Sequence, residues 1–388
     1  MSDIKKRFSR RDFLRVTGSA AATLPLLAAC AEATEEATQA PGTGTELEAG
    51  ERGGLWLAPE PPELKKIVTA TNTPSYFTVL PWYTMIDYGF TAEEGFEEVE
   101  FIIADAAFDG VISKDFTIGC NMEPDEVMVA QNEGVPLVAI AVHRDHEWQI
   151  AGMSPTIKKP EDLIGGTAIL GSPGSRTFLQ YRDHILKWSG GTVDIERDME
   201  FIELSGGSDI RQQALIADQI QIANIYTRHL MGLKEAGASW AVFAWNEWAQ
   251  EFIVAHADTV AEAPRTIVNL LRAYLKSINV LRNWNEKAQL VKNMAELHEQ
   301  ELTAEFDLAY VSQMDQIPVD AGFRPTAMKF FLDDLASYDI IPKTNYDQVF
   351  DLSFLQQAQT ELFGLAWPPT KTNDFFTAAN LPLVVELK

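Results

Sequence analysis

From Lys66 onward, short apolar runs and longer amphipathic stretches alternate along the chain. The β-branched run Lys66-Ile67-Val68-Thr69-Ala70 predicts a buried strand, and the turn-forming Thr71-Asn72-Thr73-Pro74-Ser75 ends it. Tyr76, Val79, Leu80, Tyr83 and Ile86 then recur at helical spacing; Pro81 must start that helix or kink it. Residues 99–103 predict a second strand, 116–119 a third, 125–132 a helix and 137–142 a fourth strand. Further strands are expected at 150–153, 167–170, 199–204, 221–224, 240–243 and 252–255, with a helix up to Trp188.

Strands separated by helices in this way indicate an α/β protein with a parallel sheet. The second lobe starts near His143, and residues 252–255 return the chain to the first. Beyond Pro264 the pattern is helical: Ile267, Leu270, Leu271, Tyr274, Leu275, Ile278 and Leu281 share one face. The boundaries are 64–143 plus 249–388 for lobe 1 and 144–248 for lobe 2.

The first thirty residues stand apart. Lys5, Lys6 and Arg7 precede Ser9-Arg10-Arg11-Asp12-Phe13-Leu14, and a weakly apolar run closes on Leu27-Ala28-Ala29-Cys30. A basic start, a short apolar core and small residues before a cleavage point make a secretory signal. The arginine pair resembles a twin-arginine signal, and the closing tetrapeptide resembles the lipobox whose cysteine is acylated. The run falls short of the roughly 20 apolar residues that a spanning helix needs. Residues 31–63, rich in Ala, Thr, Glu, Gly and Pro, read as a flexible tether. The expected location is the extracytoplasmic face of the cell membrane, held there by lipid on Cys30.

Charge narrows the partners. The chain stands at −25, and the signal carries six basic against two acidic residues, so the remainder stands at −29. Nucleic acid is excluded, since neutralising phosphates needs basic surface. With Cys30 acylated, Cys120 is left alone, and an exported protein without disulfides must rely on its core. No cysteine or histidine spacing suggests zinc, and no metal or cofactor is expected.

Four motifs carry a family resemblance, spread over residues 65–358. They are Asp87-Tyr88-Gly89-Phe90-Thr91-Ala92-Glu93-Glu94-Gly95-Phe96, Ala130-Gln131-Asn132-Glu133-Gly134-Val135-Pro136-Leu137, Lys159-Pro160-Glu161-Asp162-Leu163-Ile164-Gly165-Gly166-Thr167, and Asp339-Ile340-Ile341-Pro342 followed by Asp351-Leu352-Ser353-Phe354-Leu355. In this order the chain resembles the substrate-binding proteins of ABC importers, in the superfamily that joins thiamine-pyrimidine and riboflavin binders with nitrate, sulfonate and taurine binders. The resemblance implies a two-lobed periplasmic-binding-protein type 2 fold, a ligand cleft between lobes joined by two crossings, and permease and ATPase subunits as partners of a monomer.

Ligands of open α/β sheets sit beyond the carboxyl ends of the strands. The loop Gly171-Ser172-Pro173-Gly174-Ser175-Arg176 lies there, between a strand and a helix, where free N–H groups and the helix dipole favour an anion or carbonyl oxygen; capping by Ser172 or Ser175 is the alternative. Asn72, Thr73, Asn121 and Glu123 follow strands of the first lobe, and Asn224 and Tyr226 follow one of the second. Such polar groups suit a heterocycle, and equally suit turns. Trp245 and Trp248 fall at the second crossing, and His143, Arg144 and Trp148 at the first; tryptophan stacks on flat rings or packs a hinge.

Three functions compete. Capture of a flat heterocycle, riboflavin or a thiamine pyrimidine, leads, because Arg144 and Arg176 are the only obvious cations and an anion site favours arginine forks. Capture of a sulfonate, taurine or nitrate is the alternative. The third is an enzyme like the thiamine-pyrimidine synthases; the resemblance ties that chemistry to a cysteine-rich motif, whereas this chain keeps Cys120 alone, so no catalysis is expected.

Overall fold

The structure, a computed structural model, describes residues 58–72, 76–145, 147–171, 174–202, 207–246, 250–283, 287–297, 302, 304–322, 325–341 and 349–364. The signal, Cys30 and most of the expected tether lie outside them.

Two five-stranded sheets organise the chain. The first has the order β2-β1-β3-β10-β4, from Glu98–Ile103, Lys66–Thr71, Ile118–Met122, Glu251–His256 and Leu137–Arg144. The second has the order β7-β6-β8-β5-β9, from Glu200–Phe201, Thr167–Ile169, Ile222–Ile225, Glu147–Met153 and Ser239–Asn246. The sheets are mixed rather than wholly parallel: β10 runs antiparallel to β3 and β4, and β5 antiparallel to β8 and β9. β5 and β10 are the strands that enter each sheet from the other one, so they run against their neighbours. Apolar periodicity carries no information on strand direction, and the expectation of a parallel sheet missed this.

The longer helices are α1 (Tyr76–Asp87), α2 (Pro124–Asn132), α3 (Arg176–Trp188), α4 (Gly207–Ile216), α5 (Pro264–Leu281), α6 (Lys287–Leu297), α7 (Ala304–Gln316), α8 (Pro325–Ser337) and α9 (Ser353–Phe363). They cover both faces of the sheets. On one face of the first sheet Trp82, Tyr274 and Leu355 share a core, and on the other Val127, Phe331 and Leu335 do. In the second sheet Phe178 and Ile185 of α3 pack on one side, and Leu215 of α4 on the other. Pro81 lies inside α1, which tolerates it.

Helix α5 is buried nearly all round, including Arg265, Arg272 and Lys276, not on the apolar face alone. Its cations have partners. Arg272 Nε donates to Glu94 Oε2 at 2.6 Å and Nη1 to Glu361 Oε2 at 2.9 Å. Lys276 Nζ lies 2.6 Å from Glu94 Oε1, and Arg265 grips Glu361 through two bonds of 2.5 and 2.6 Å. This explains the Glu93-Glu94-Gly95 motif: Glu94 supplies the buried acid. Gly95, at φ 89°, lets Pro62 close in, since a Cβ there would stand 2.9 Å from Pro62 Cδ. The folded domain reaches back into the expected tether. Glu63 accepts from the backbone N–H groups of Arg265 and Thr266 at 3.0 and 2.7 Å, and Asn269 donates to the Glu60 carbonyl at 2.8 Å. A carboxylate over the first turn of α5 opposes the positive end of the helix dipole.

Candidate ligand-binding cleft

The carboxyl ends of β1, β3 and β4 in the first sheet, and of β6 and β8 in the second, hold most of the candidate residues. Strand β3 runs further than its apolar pattern suggests, so Asn121 is inside it rather than after it. It sits at φ 58° where the register against β10 slips, a bulge in a left-handed conformation that asparagine accepts. The bulge turns Asn121 inward: its Oδ1 accepts from Trp82 Nε1 at 3.1 Å and its Nδ2 donates to the Thr78 carbonyl at 3.4 Å. Both ends of the amide are therefore engaged with the protein. His143 sits beside them, fully buried. A carbonyl can only accept, so Nε2–H must donate to the Thr78 oxygen at 2.7 Å, and Nδ1 accepts from the Tyr274 hydroxyl at 2.5 Å. Burial first, and Arg144 next to it, hold its pKa down at about 3, so the ring is a neutral structural element.

The crossings are fastened beside it. Arg144 pairs with Glu251 and donates to Gln316 Oε1 at 3.0 Å, and Gln250 N–H donates to the Arg144 carbonyl at 2.7 Å. The last residue of β4 is thus bound to the first of β10. Cys120 is buried in β3, where loss of water pushes its thiol pKa well up.

Glu123 follows β3 and stands at the N-cap position of α2, its side chain making no capping bond to the helix. Across from it, Ser175 caps α3, its Oγ accepting from Phe178 N–H at 3.3 Å, and Arg176 follows with 3% of its side chain exposed. Arg176 Nη2 donates to Glu123 Oε2 at 3.3 Å, a contact that joins the ends of the two sheets. Its guanidinium also lies 5.3 Å from the Phe331 ring on α8. The Glu123 side chain is 40% exposed. Burial, resisted by Arg176 and reinforced by Asp125 and Glu251, pushes its pKa up to about 8.

The contact continues outside the cleft. Gln180 Nε2 donates to Asp334 Oδ2 at 2.9 Å, and the Tyr338 hydroxyl donates to Asp183 Oδ2 at 2.7 Å. Residues 176, 180 and 183 thus meet 331, 334 and 338 in step, so α3 and α8 run side by side in the same direction. Gln149 of β5 supports the middle rung, donating to Gln180 Oε1 at 2.5 Å. Sequence reading missed this seam. Its only trace is polar residues three and four apart on α3, the pattern that any solvated helix face also shows.

Asn224 lies within β8 rather than beyond it, and its carbonyl accepts from Arg211 Nε at 3.0 Å. Tyr226 does follow β8, and Arg228 lies over its ring, 4.8 Å from the centroid. Arg228 also donates to Ser208 Oγ at 2.5 Å, while His229 bonds Asp209 at 2.8 Å. Arg211 and Arg228 are cations that the sequence reading did not count; the signal was Arg228 two residues after Tyr226. Asn72 is half-buried at the end of β1, and Gly174, at φ 85°, precedes the α3 cap. Thr73, Ser172 and Trp248 lie outside the described residues. Trp245 is placed only by its backbone, in β9 opposite Trp148. Among the described residues no group of three His, Cys, Asp or Glu is arranged to hold a metal ion.

The profile of a family described as NMT1/THI5 like matches residues 77–288, more than half of the chain. The chain belongs to that family. A comparison with curated proteins finds no match. Among solved structures, a protein from Bordetella bronchiseptica RB50 is 17% identical and covers 78% of this chain and 99% of its own, with a TM-score of 0.61. The periplasmic nitrate-binding protein NrtA from Synechocystis PCC 6803 is 12% identical, covering 78% and 90%, with a TM-score of 0.55. The periplasmic sulfonate-binding protein SsuA from Methylobacillus flagellatus KT is 14% identical, covering 77% and 95%, with a TM-score of 0.54. Mixed sheets flanked by helices, shared with these neighbours, make this NMT1/THI5-like protein a periplasmic-binding-protein fold.

Proposed function

We propose that this protein is the substrate-binding component of an ABC importer and captures a small oxyanion, of the sulfonate or nitrate class, without transforming it. The observation that carries the ligand class is Arg176: a guanidinium 3% exposed in the first turn of α3, at the carboxyl end of β6, facing the other sheet. A buried arginine at a helix N-terminus supplies both a fixed charge and N–H donors to an oxyanion. The nitrate- and sulfonate-binding neighbours support the same class. The lobes are 64–143 plus 249–388 and 144–248, with Arg144 and Glu251 at their crossings, and the ligand between them is handed to permease and ATPase subunits. Lipid on Cys30 holds the protein at the extracytoplasmic face of the membrane.

A flat heterocycle is the second reading, favoured by the Tyr226 ring at the end of β8. Thermal shift decides between them, because a ligand that binds only the native state raises apparent stability by mass action. Ethanesulfonate, taurine or nitrate should stabilise the wild type and leave Arg176→Ala unmoved. Stabilisation by riboflavin or a pyrimidine alone, persisting in Arg176→Ala, sinks the anion class.

A further inference from the structure

Arg176 is the cation that an anion would meet, and the structure already sets a carboxyl against it. Glu123 comes from the opposite sheet and reaches Arg176 Nη2 at 3.3 Å with 40% of its side chain exposed, so an anion that approaches Arg176 there also meets Glu123. A fixed-charge anion cannot settle there beside an ionised carboxylate without like-charge repulsion. It can enter beside a neutral carboxylic acid, whose O–H is a hydrogen-bond donor. Resting on the anion reading above, we propose that Glu123 determines specificity by its protonation: as an acid it donates to the bound oxyanion, and as a carboxylate it takes Arg176 for itself and shuts the anion out.

The charged groups facing Glu123 fit this role. Burial, the largest influence, acts with Asp125 on α2 and Glu251 on β10 to favour its neutral form, against Arg176 on α3 and Arg144 on β4, which favour the charged form. With a pKa pushed up to about 8, the acid form predominates at neutral pH and is lost on the alkaline side. Binding is then linked to proton uptake. If the protonated form alone binds, going from pH 7 to pH 9 lowers its fraction from about nine-tenths to about one-tenth, and the Kd rises about tenfold.

The test uses calorimetric titration of the protein with ethanesulfonate and with nitrate, neither of which titrates in this range, at constant ionic strength from pH 6.5 to 9.5. The wild type should lose about tenfold in affinity between pH 7 and 9, and near pH 8 to 9 it should take up protons on binding, read from buffers of different ionisation enthalpy. Glu123→Gln, whose amide N–H₂ stands in for the acid O–H, should bind at least as tightly as wild type at pH 7, with a flat pH profile and no proton uptake. A flat wild-type profile, or the same slope and proton uptake in Glu123→Gln, overturns the proposal and leaves the anion reading standing. Absence of saturable binding by both anions at every pH overturns the anion reading and the proposal with it.

Discussion

Arg272→Met is the substitution that most directly tests how α5 is held. The guanidinium is 1% exposed and bonds Glu94, itself 0% exposed, at 2.6 Å, and Glu361 at 2.9 Å. Methionine fills most of the volume, so the change removes charge rather than packing. Taking one partner from a buried pair costs about 3–5 kcal/mol, because the other charge is left without compensation. Here the loss is limited: Glu94 keeps Lys276 at 2.6 Å and Glu361 keeps Arg265. The lower end, about 3 kcal/mol, is expected, which for a chain of this size is roughly 4 °C in Tm. Adding Glu94→Gln should restore about half, since the uncompensated charge goes and Lys276 still has Glu93 at 2.7 Å. Circular dichroism melts at pH 7 give both numbers. A drop below about 2 °C in the single variant, or a double variant less stable than the single one, would refute the reasoning that charge compensation holds this helix.

Two other outcomes follow from particular contacts. Glu361 has its pKa lowered to about 2, first by its bonds to Arg265, so its stabilisation is present above pH 4.5 and disappears as pH falls toward 2; Glu361→Gln should be less stable at pH 7 and show a flatter acid limb in the same window, and an unchanged acid limb would assign the loss to other carboxylates. Cys30→Ala should move the protein from the membrane to the soluble fraction, because stable anchoring takes acyl chains and this residue ends the apolar run; unchanged membrane fractionation counts against a lipid anchor.

Much of the architecture is legible in the chain because the strands are short, β-branched and bounded by turn formers. Residues 66–70 and 137–142 fall inside β1 and β4, and Pro264 starts α5 as its fixed φ allows. These are local consequences of side-chain shape and solvation, and they need no knowledge of neighbours. The loop from Gly171 to Arg176 was legible for the same reason: a strand, glycines, a capping serine, then a helix.

Tertiary structure decided what depends on residues far apart in sequence. That β5 and β10 run antiparallel follows from chain crossings between sheets, which period-2 patterning cannot encode. Asn121 read as a strand-end hydrogen-bonding group, but a bulge turned it to Trp82, 39 positions away. Arg272 and Lys276 lie off the apolar positions read for α5, and are buried because Glu94 and Glu361, one on each side in sequence, arrive to neutralise them. Glu123 and Arg176 were each visible as strand-end residues. Only folding set them 3.3 Å apart, and it is burial, a property of no single segment, that raises the acid's pKa.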